Sequence, residues 1–270
     1  MAGVYYREYG SGEPLVFLHG GWGYEIYPLD RQLAVLSATR RVVIPDRAGY
    51  GRSPRSLPGV PLETGFHERA AEETRALLDA LGLERPVLWG HSDGAVIAAL
   101  VALASPDRVG GVILEAMHLS GRKPASRGFF ERTMSRPDTV GERVARVLAR
   151  DHGEDWRQVI SRHSDAWLRL ADERPPDADF YGGRLGELRV PALVIHGARD
   201  PRTEPGELDA IRAALPDAPC VVLPAGGHSP HSERGTADEV TRVAAEFLAE
   251  AESLGSRPRS SARGGGAPRA

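Results

Sequence analysis

The stretch "VLWGHSDGAVIAAL", residues 87–100, decides the fold. A short apolar run, Val87, Leu88 and Trp89, leads into Gly-His-Ser-Asp-Gly, and an almost wholly apolar segment follows. An apolar run without alternation reads as a strand buried on both faces, and residues 95–104 read as a buried helix. Ser92 therefore stands at a strand-to-helix turn. Gly90 and Gly94 have no Cβ, so strand and helix can approach closely while Ser92 is held in a strained turn. Its hydroxyl then projects beyond the carboxyl edge of a sheet, at a helix N-terminus. A Gly-x-Ser-x-Gly match alone carries little weight; the strand–turn–helix setting supplies it.

Outward from this turn, short apolar runs recur as "PLVFLHGG", "RRVVIPD", "RPVLWGHS", "VGGVILEA", "VPALVIHGARD" and "PCVVLPAGGH". None alternates as a half-exposed strand does. Helical patterns lie between them: Phe66, Ala70, Leu77, Leu78 and Leu81 fall on one face of a segment that Gly82 closes. Val240, Val243, Ala244, Phe247 and Leu248 repeat the pattern, with Thr236 and Glu239 predicted to form a capping box at that helix's start. Alternating strand and helix imply an α/β fold, a mostly parallel central sheet flanked by helices. The alternation fails over residues 117–186, where Val144, Val147 and Leu148, then Trp156, Val159, Ile160, His163, Trp167 and Leu170, keep helical spacing. An inserted helical cap is expected there, between core segments 1–116 and 187–254.

The 270 residues, 41% hydrophobic, suffice for one substantial core. The formal net charge is -3. Residues 255–270 carry Arg257, Arg259, Arg263 and Arg269 and no acid, and read as a solvated, disordered tail. The acidic remainder offers no broad basic face for nucleic acid. Cys220 is the single cysteine, so no intrachain disulfide forms, and "PCVVLP" places it on a strand. The N-terminus lacks a basic segment followed by a long apolar one, and no apolar run approaches membrane-spanning length. The expectation is a soluble cytoplasmic protein that acts on a small molecule, without nucleic-acid or membrane partners.

Four more motifs follow strands in order: "HGGWG", "DRAGYGRS", "GARD" and "GGHSPH". Together with the turn at Ser92 they resemble the α/β-hydrolase superfamily, specifically its cap-bearing serine hydrolases, over roughly residues 4–254. A serine hydroxyl is a poor nucleophile unless a base takes its proton. The resemblance supplies His228 as that base and Asp200 as its acid, in the chain order Ser92, Asp200, His228. Some relatives carry the acid one strand earlier, where this chain has Glu115, and His231 is the nearest rival to His228. His19 and His196 sit beside strand ends and read as structural; His91 should point away from Ser92; His163 lies on a helix's apolar face.

The resemblance also implies an oxyanion hole made by the amides of Gly21 and Asp93, assisted by Trp22. "DRAGYGRS" reads as architecture: Asp46 and the two glycines are expected to shape a tight loop beside the active site, within reach of which Arg47, Tyr50 and Arg52 fall. The Asp93 carboxylate either complements the helix N-terminus or meets a cation on the substrate. Trp22, Phe129, Phe130, Trp156 and Trp167 are the expected pocket walls. No cofactor and no metal are implied. The expected chemistry is cleavage of a small carboxylic ester through an acyl-enzyme. C–C bond hydrolases, thioesterases, amidases, lyases and perhydrolases share the same groups, and a receptor with little turnover would be a different class of answer. "HGG" with a cap is shared with proline iminopeptidases, but "GHSDG" departs from their tryptophan-containing turn.

Overall fold

A computed structural model describes residues 3–55 and 60–255. The six apolar runs form β2 (Glu13–Leu18), β3 (Arg40–Pro45), β4 (Val87–His91), β5 (Gly111–Glu115), β6 (Ala192–Gly197) and β7 (Cys220–Leu223). A further strand, β1 (Tyr6–Tyr9), pairs antiparallel with β3. The sheet order is β1-β3-β2-β4-β5-β6-β7, and every pairing except that of β1 is parallel. An edge strand with three of four residues exposed presents no apolar run, which is why the sequence did not announce β1.

Alternate residues of the strands face opposite layers. Leu15, Phe17, Trp89, Ile113 and Ile195 pack with Leu36 of α1 (Asp30–Leu36) and with Val240, Ala244 and Phe247 of α8 (Ala237–Gly255). Val16, Leu18, Leu88, Val112, Leu114 and Val194 pack on the other side, against α2 (Phe66–Ala80), α3 (Asp93–Ala104) and Ile211 of α7 (Glu207–Ala214). Burying each such large side chain contributes about 1.5–3 kcal/mol. α3 lies between the sheet and α2, which explains its apolar composition on all sides. α2 ends as expected at Gly82, which has φ +59°; the Gly82 and Leu83 amides donate to the Asp79 and Leu78 carbonyls in a Schellman arrangement. At α8 the Thr236 hydroxyl donates to the Pro230 carbonyl, 2.7 Å, so it ties down the preceding loop instead of forming the expected capping box.

Residues between β5 and β6 carry α4 (Pro124–Ser135), α5 (Glu142–His152) and α6 (Trp156–Glu173). α4 and α6 pack together through Phe130 stacked on Trp167, with centroids 5.4 Å apart, and through a Thr133–Ser164 hydroxyl contact of 2.8 Å. The arginines of the expected C-terminal tail lie outside the described residues. Among the described residues no helix is long and apolar enough to cross a membrane.

At the turn after β4, Ser92 has φ +55° and ψ -119°, a region that L-residues rarely occupy. A Cβ on Gly90 would overlap the Gly94 carbonyl, and one on Gly94 would overlap the Leu18 carbonyl. Both neighbours are backbone, so neither can yield cheaply. Gly94→Ala is therefore expected to destabilise the protein by about 3 kcal/mol or more, at the upper end of overpacking penalties. A melting curve indistinguishable from wild type would show that α3 is free to move away from β2.

Candidate active site

Three loops leave the carboxyl ends of β4, β6 and β7 and converge, the usual place for a site in an open parallel sheet. The first carries Ser92, the second Asp200 and the third His228. A Cβ on Gly197 would overlap the Gly227 carbonyl, so glycine there lets the last two loops close on each other. His228 Nε2 lies 3.0 Å from Ser92 Oγ, and its Nδ1 lies 2.9 Å and 3.0 Å from the two oxygens of Asp200. With Nδ1–H donating to the carboxylate, Nε2 is left to accept the serine proton. The Arg202 amide donates to Asp200 Oδ1, 2.8 Å. Burial pushes the Asp200 carboxyl up, but the His228 ring beside it and these donated hydrogen bonds prevail and hold it down at about 2.

The rival acid and base pair with each other instead. His231 Nδ1 and its amide both donate to Glu115 Oε1, at 2.8 Å and 2.9 Å, and Trp89 Nε1 donates to Glu115 Oε2. His231 Nε2 donates to the Tyr27 carbonyl, 2.9 Å. Both ring nitrogens thus act as donors, the pattern of an imidazolium. Burial lowers its basicity, yet the Glu115 charge outweighs burial and raises His231 above the ordinary value. His91 points away from Ser92 as expected: its Nε2 donates to the His228 carbonyl, 2.9 Å, and supports that loop. Burial, then the His231 and His228 rings, hold His91 down at about 3.

"HGGWG" is held from both sides. His19 Nδ1 donates to the Gly20 carbonyl while its Nε2 accepts the Arg47 amide, and the Arg47 guanidinium donates to the carbonyls of His19 and Gly20. His152 of α5 donates to the Trp22 carbonyl, 2.8 Å, and accepts the Gly51 amide, 3.0 Å. "DRAGYGRS" is thus the brace of this loop: Asp46 accepts from Arg7 and from the Arg52 amide, and a Cβ on Gly51 would overlap its carboxylate. Trp22 is held at φ +79°. Gly21 abuts the His163 ring so closely that any Cβ would overlap it. Among the described residues, neither the Gly21 amide nor the Asp93 amide has a hydrogen-bond partner.

With this geometry in place, the chain can be compared with known proteins. A profile described as the alpha/beta hydrolase family matches residues 15–243. The chain belongs to that family. A pimeloyl-(acyl-carrier protein) methyl ester esterase of Pectobacterium carotovorum is 30% identical, over 85% of this chain and 93% of its own. A 2-hydroxy-6-oxononadienedioate/2-hydroxy-6-oxononatrienedioate hydrolase of Pseudomonas putida is 28% identical, over 91% of each chain. Among solved structures, a thermophilic esterase of Thermogutta terrifontis superposes with a TM-score of 0.68 at 26% identity, covering 92% of this chain and 93% of that one.

In this alpha/beta hydrolase the cavity over Ser92 lies between the sheet edge and α4 and α6, with Trp22, Phe129, Phe130 and Trp167 in its walls. Trp156 is not among them. It opens α6 and packs behind Trp22 with Leu148 and Ile160, so it supports the wall from outside the cavity. His163 is more than an apolar-face residue: its Nε2 donates to Asp93 Oδ2, 2.8 Å, while His67 Nε2 donates to Oδ1, 3.1 Å. The Asp93 carboxylate, 1% exposed, stands in the first turn of α3, turned into the interior and engaged at both oxygens. It ties α3 to α2 and to α6 of the segment inserted between β5 and β6.

Sequence reasoning also missed His118, whose Nε2 lies 3.3 Å from Ser92 Oγ and whose ring stacks on His228. No motif marks it; it sits in the loop after β5, next to a site assembled from elsewhere. Burial, together with the Lys123 charge, keeps His118 well below the ordinary imidazole value.

Proposed function

We propose that this hydrolase cleaves a carboxylic ester of a small molecule through an acyl-enzyme on Ser92. Ser92 Oγ attacks the carbonyl carbon as its proton passes to His228 Nε2, and Asp200 stabilises the imidazolium. The negative oxygen of the tetrahedral intermediate is received by the Gly21 and Asp93 amides, each worth about 2.7–4 kcal/mol in serine hydrolases generally. His228 then protonates the leaving alcohol. A water molecule, deprotonated by the same ring, attacks the acyl carbon and releases the acid and Ser92. The insertion over the sheet serves as the cap that closes the other half of the pocket. The observation that carries the proposal is the continuous contact chain Ser92–His228–Asp200 beside two amides without a hydrogen-bond partner among the described residues.

The esterases among the relatives favour an ester bond. A second reading, cleavage of a C–C bond next to a ketone, is favoured by the hydrolase from Pseudomonas putida, since the same serine and histidine could serve it. Fluorophosphonate labelling at the Ser92 peptide, abolished in Ser92→Ala, tests the nucleophile. Turnover of graded p-nitrophenyl esters against a 2-hydroxy-6-oxo-dienoate separates the two bonds. Faster turnover of the ester supports the first reading, and exclusive cleavage of the dienoate supports the second. Failure to label would remove both.

A further inference from the structure

The charged groups around the pocket are matched with one exception. Asp200 faces His228, Asp93 faces His67 and His163, and Lys123 of the pocket wall is chelated by Glu207. Arg202, also in the wall, has no ion-pair or side-chain hydrogen-bond partner among the described residues. Residues 1, 2, 56–59 and 256–270 contain no Asp or Glu that could supply one. Its guanidinium carbon lies over Phe129, 3.3 Å from the ring centroid, and 5.5 Å from that of Phe130. The aromatic face holds the fork in place but offers no acceptor for its N–H groups. Arg132 lies over the same ring at 5.7 Å, and Asp200 and Tyr27, which attract the Arg202 charge through space, make no hydrogen bond to its guanidinium. One turn before Phe129 on the same face of α4, the Ser126 hydroxyl is buried in the pocket wall and has no hydrogen-bond partner among the described residues.

From this unmatched guanidinium and hydroxyl in one wall, we propose that the pocket selects a substrate bearing a second, free carboxylate, bound by Arg202 with help from Ser126. A planar fork fixed against a ring presents paired N–H donors of the geometry a carboxylate accepts. Burial lowers the guanidinium to about 10, still above neutral pH, so Arg202 remains a cation in the site. The chemical class is a monoester of a dicarboxylic acid. This inference rests on the ester reading above, and the test keeps the two apart.

The measurement is kcat/KM for the monoethyl esters of succinic, glutaric and adipic acids against the ethyl esters of the monocarboxylic acids of equal chain length, followed by proton release. Wild type is expected to prefer at least one carboxylate-bearing ester. In Arg202→Gln that preference should fall by about 30-fold or more, the scale for truncating one partner of an enclosed charge pair. Arg202→Lys, which keeps the charge and loses the fork, should retain an intermediate preference, and Ser126→Ala a reduced one. Melting curves identify any variant that fails to fold, and the lysine variant then carries the comparison. Equal rates on charged and neutral esters in wild type, or a preference unchanged in Arg202→Gln, would overturn the inference and leave the ester reading standing. Absence of turnover on every ester, with no labelling of Ser92, would remove the ester reading and this inference with it.

Discussion

His228→Ala is expected to lower kcat for ester hydrolysis on the order of 10^6-fold, the loss seen when the base of a serine hydrolase is removed. The size follows from the geometry. Among the described residues only His228 combines a nitrogen at 3.0 Å from Ser92 Oγ with a carboxylate on the other side of its ring. His118 is nearly as close to the serine, at 3.3 Å, and would be the natural substitute. It lacks a carboxylate partner among the described residues, and burial beside Lys123 weakens it as a base. Rescue by His118 should therefore be negligible, and His118→Ala added to His228→Ala should remove little more. A loss of less than about 100-fold would be smaller than a positioned general base contributes and would place the base elsewhere.

Glu115→Gln is expected to destabilise the fold by about 3–5 kcal/mol, because it leaves a buried imidazolium without its counter-ion. For a chain of this size that corresponds to a fall in Tm of roughly 10 °C. Burial raises the Glu115 carboxyl, but the His231 charge and the donated hydrogen bonds prevail and hold it down at about 2. A depressed carboxyl stabilises above its unfolded value and loses this as pH falls through the folded one; a raised imidazole stabilises below its unfolded value and loses this as pH rises. The pair's contribution is complete between the unfolded values of 4.5 and 6.5. The gap in stability between wild type and Glu115→Gln should be widest there and narrow on either side. The folded variant should keep kcat within about tenfold, whereas Asp200→Asn should lose about 10^4-fold. The reverse pattern would make Glu115 the working acid.

The strands of the core and the turn at Ser92 were legible because each is written locally, whereas Asp200 and His228 entered through the resemblance that their motifs carry. Apolar runs give strands, glycines at 90 and 94 give the tight turn, and short motifs mark the strand ends. What stayed hidden depends on partners distant in sequence. Asp93 meets His67 and His163 only after α2 and α6 pack around α3. Arg202 reaches Phe129 only because the loop after β6 lies against α4. Trp156 and Trp167 share one helical stripe, yet their separation along α6 puts one behind Trp22 and the other in the pocket. Periodicity identifies the buried face of a helix but not which buried neighbour each residue meets.

The most direct measurement is rapid-quench mass spectrometry of the protein during turnover of a p-nitrophenyl ester. Covalent transfer predicts a transient increase equal to the acyl group, located on the peptide containing Ser92 and absent from Ser92→Ala. Release of nitrophenolate at the full rate with no adduct at Ser92, or undiminished release in Ser92→Ala, would contradict it.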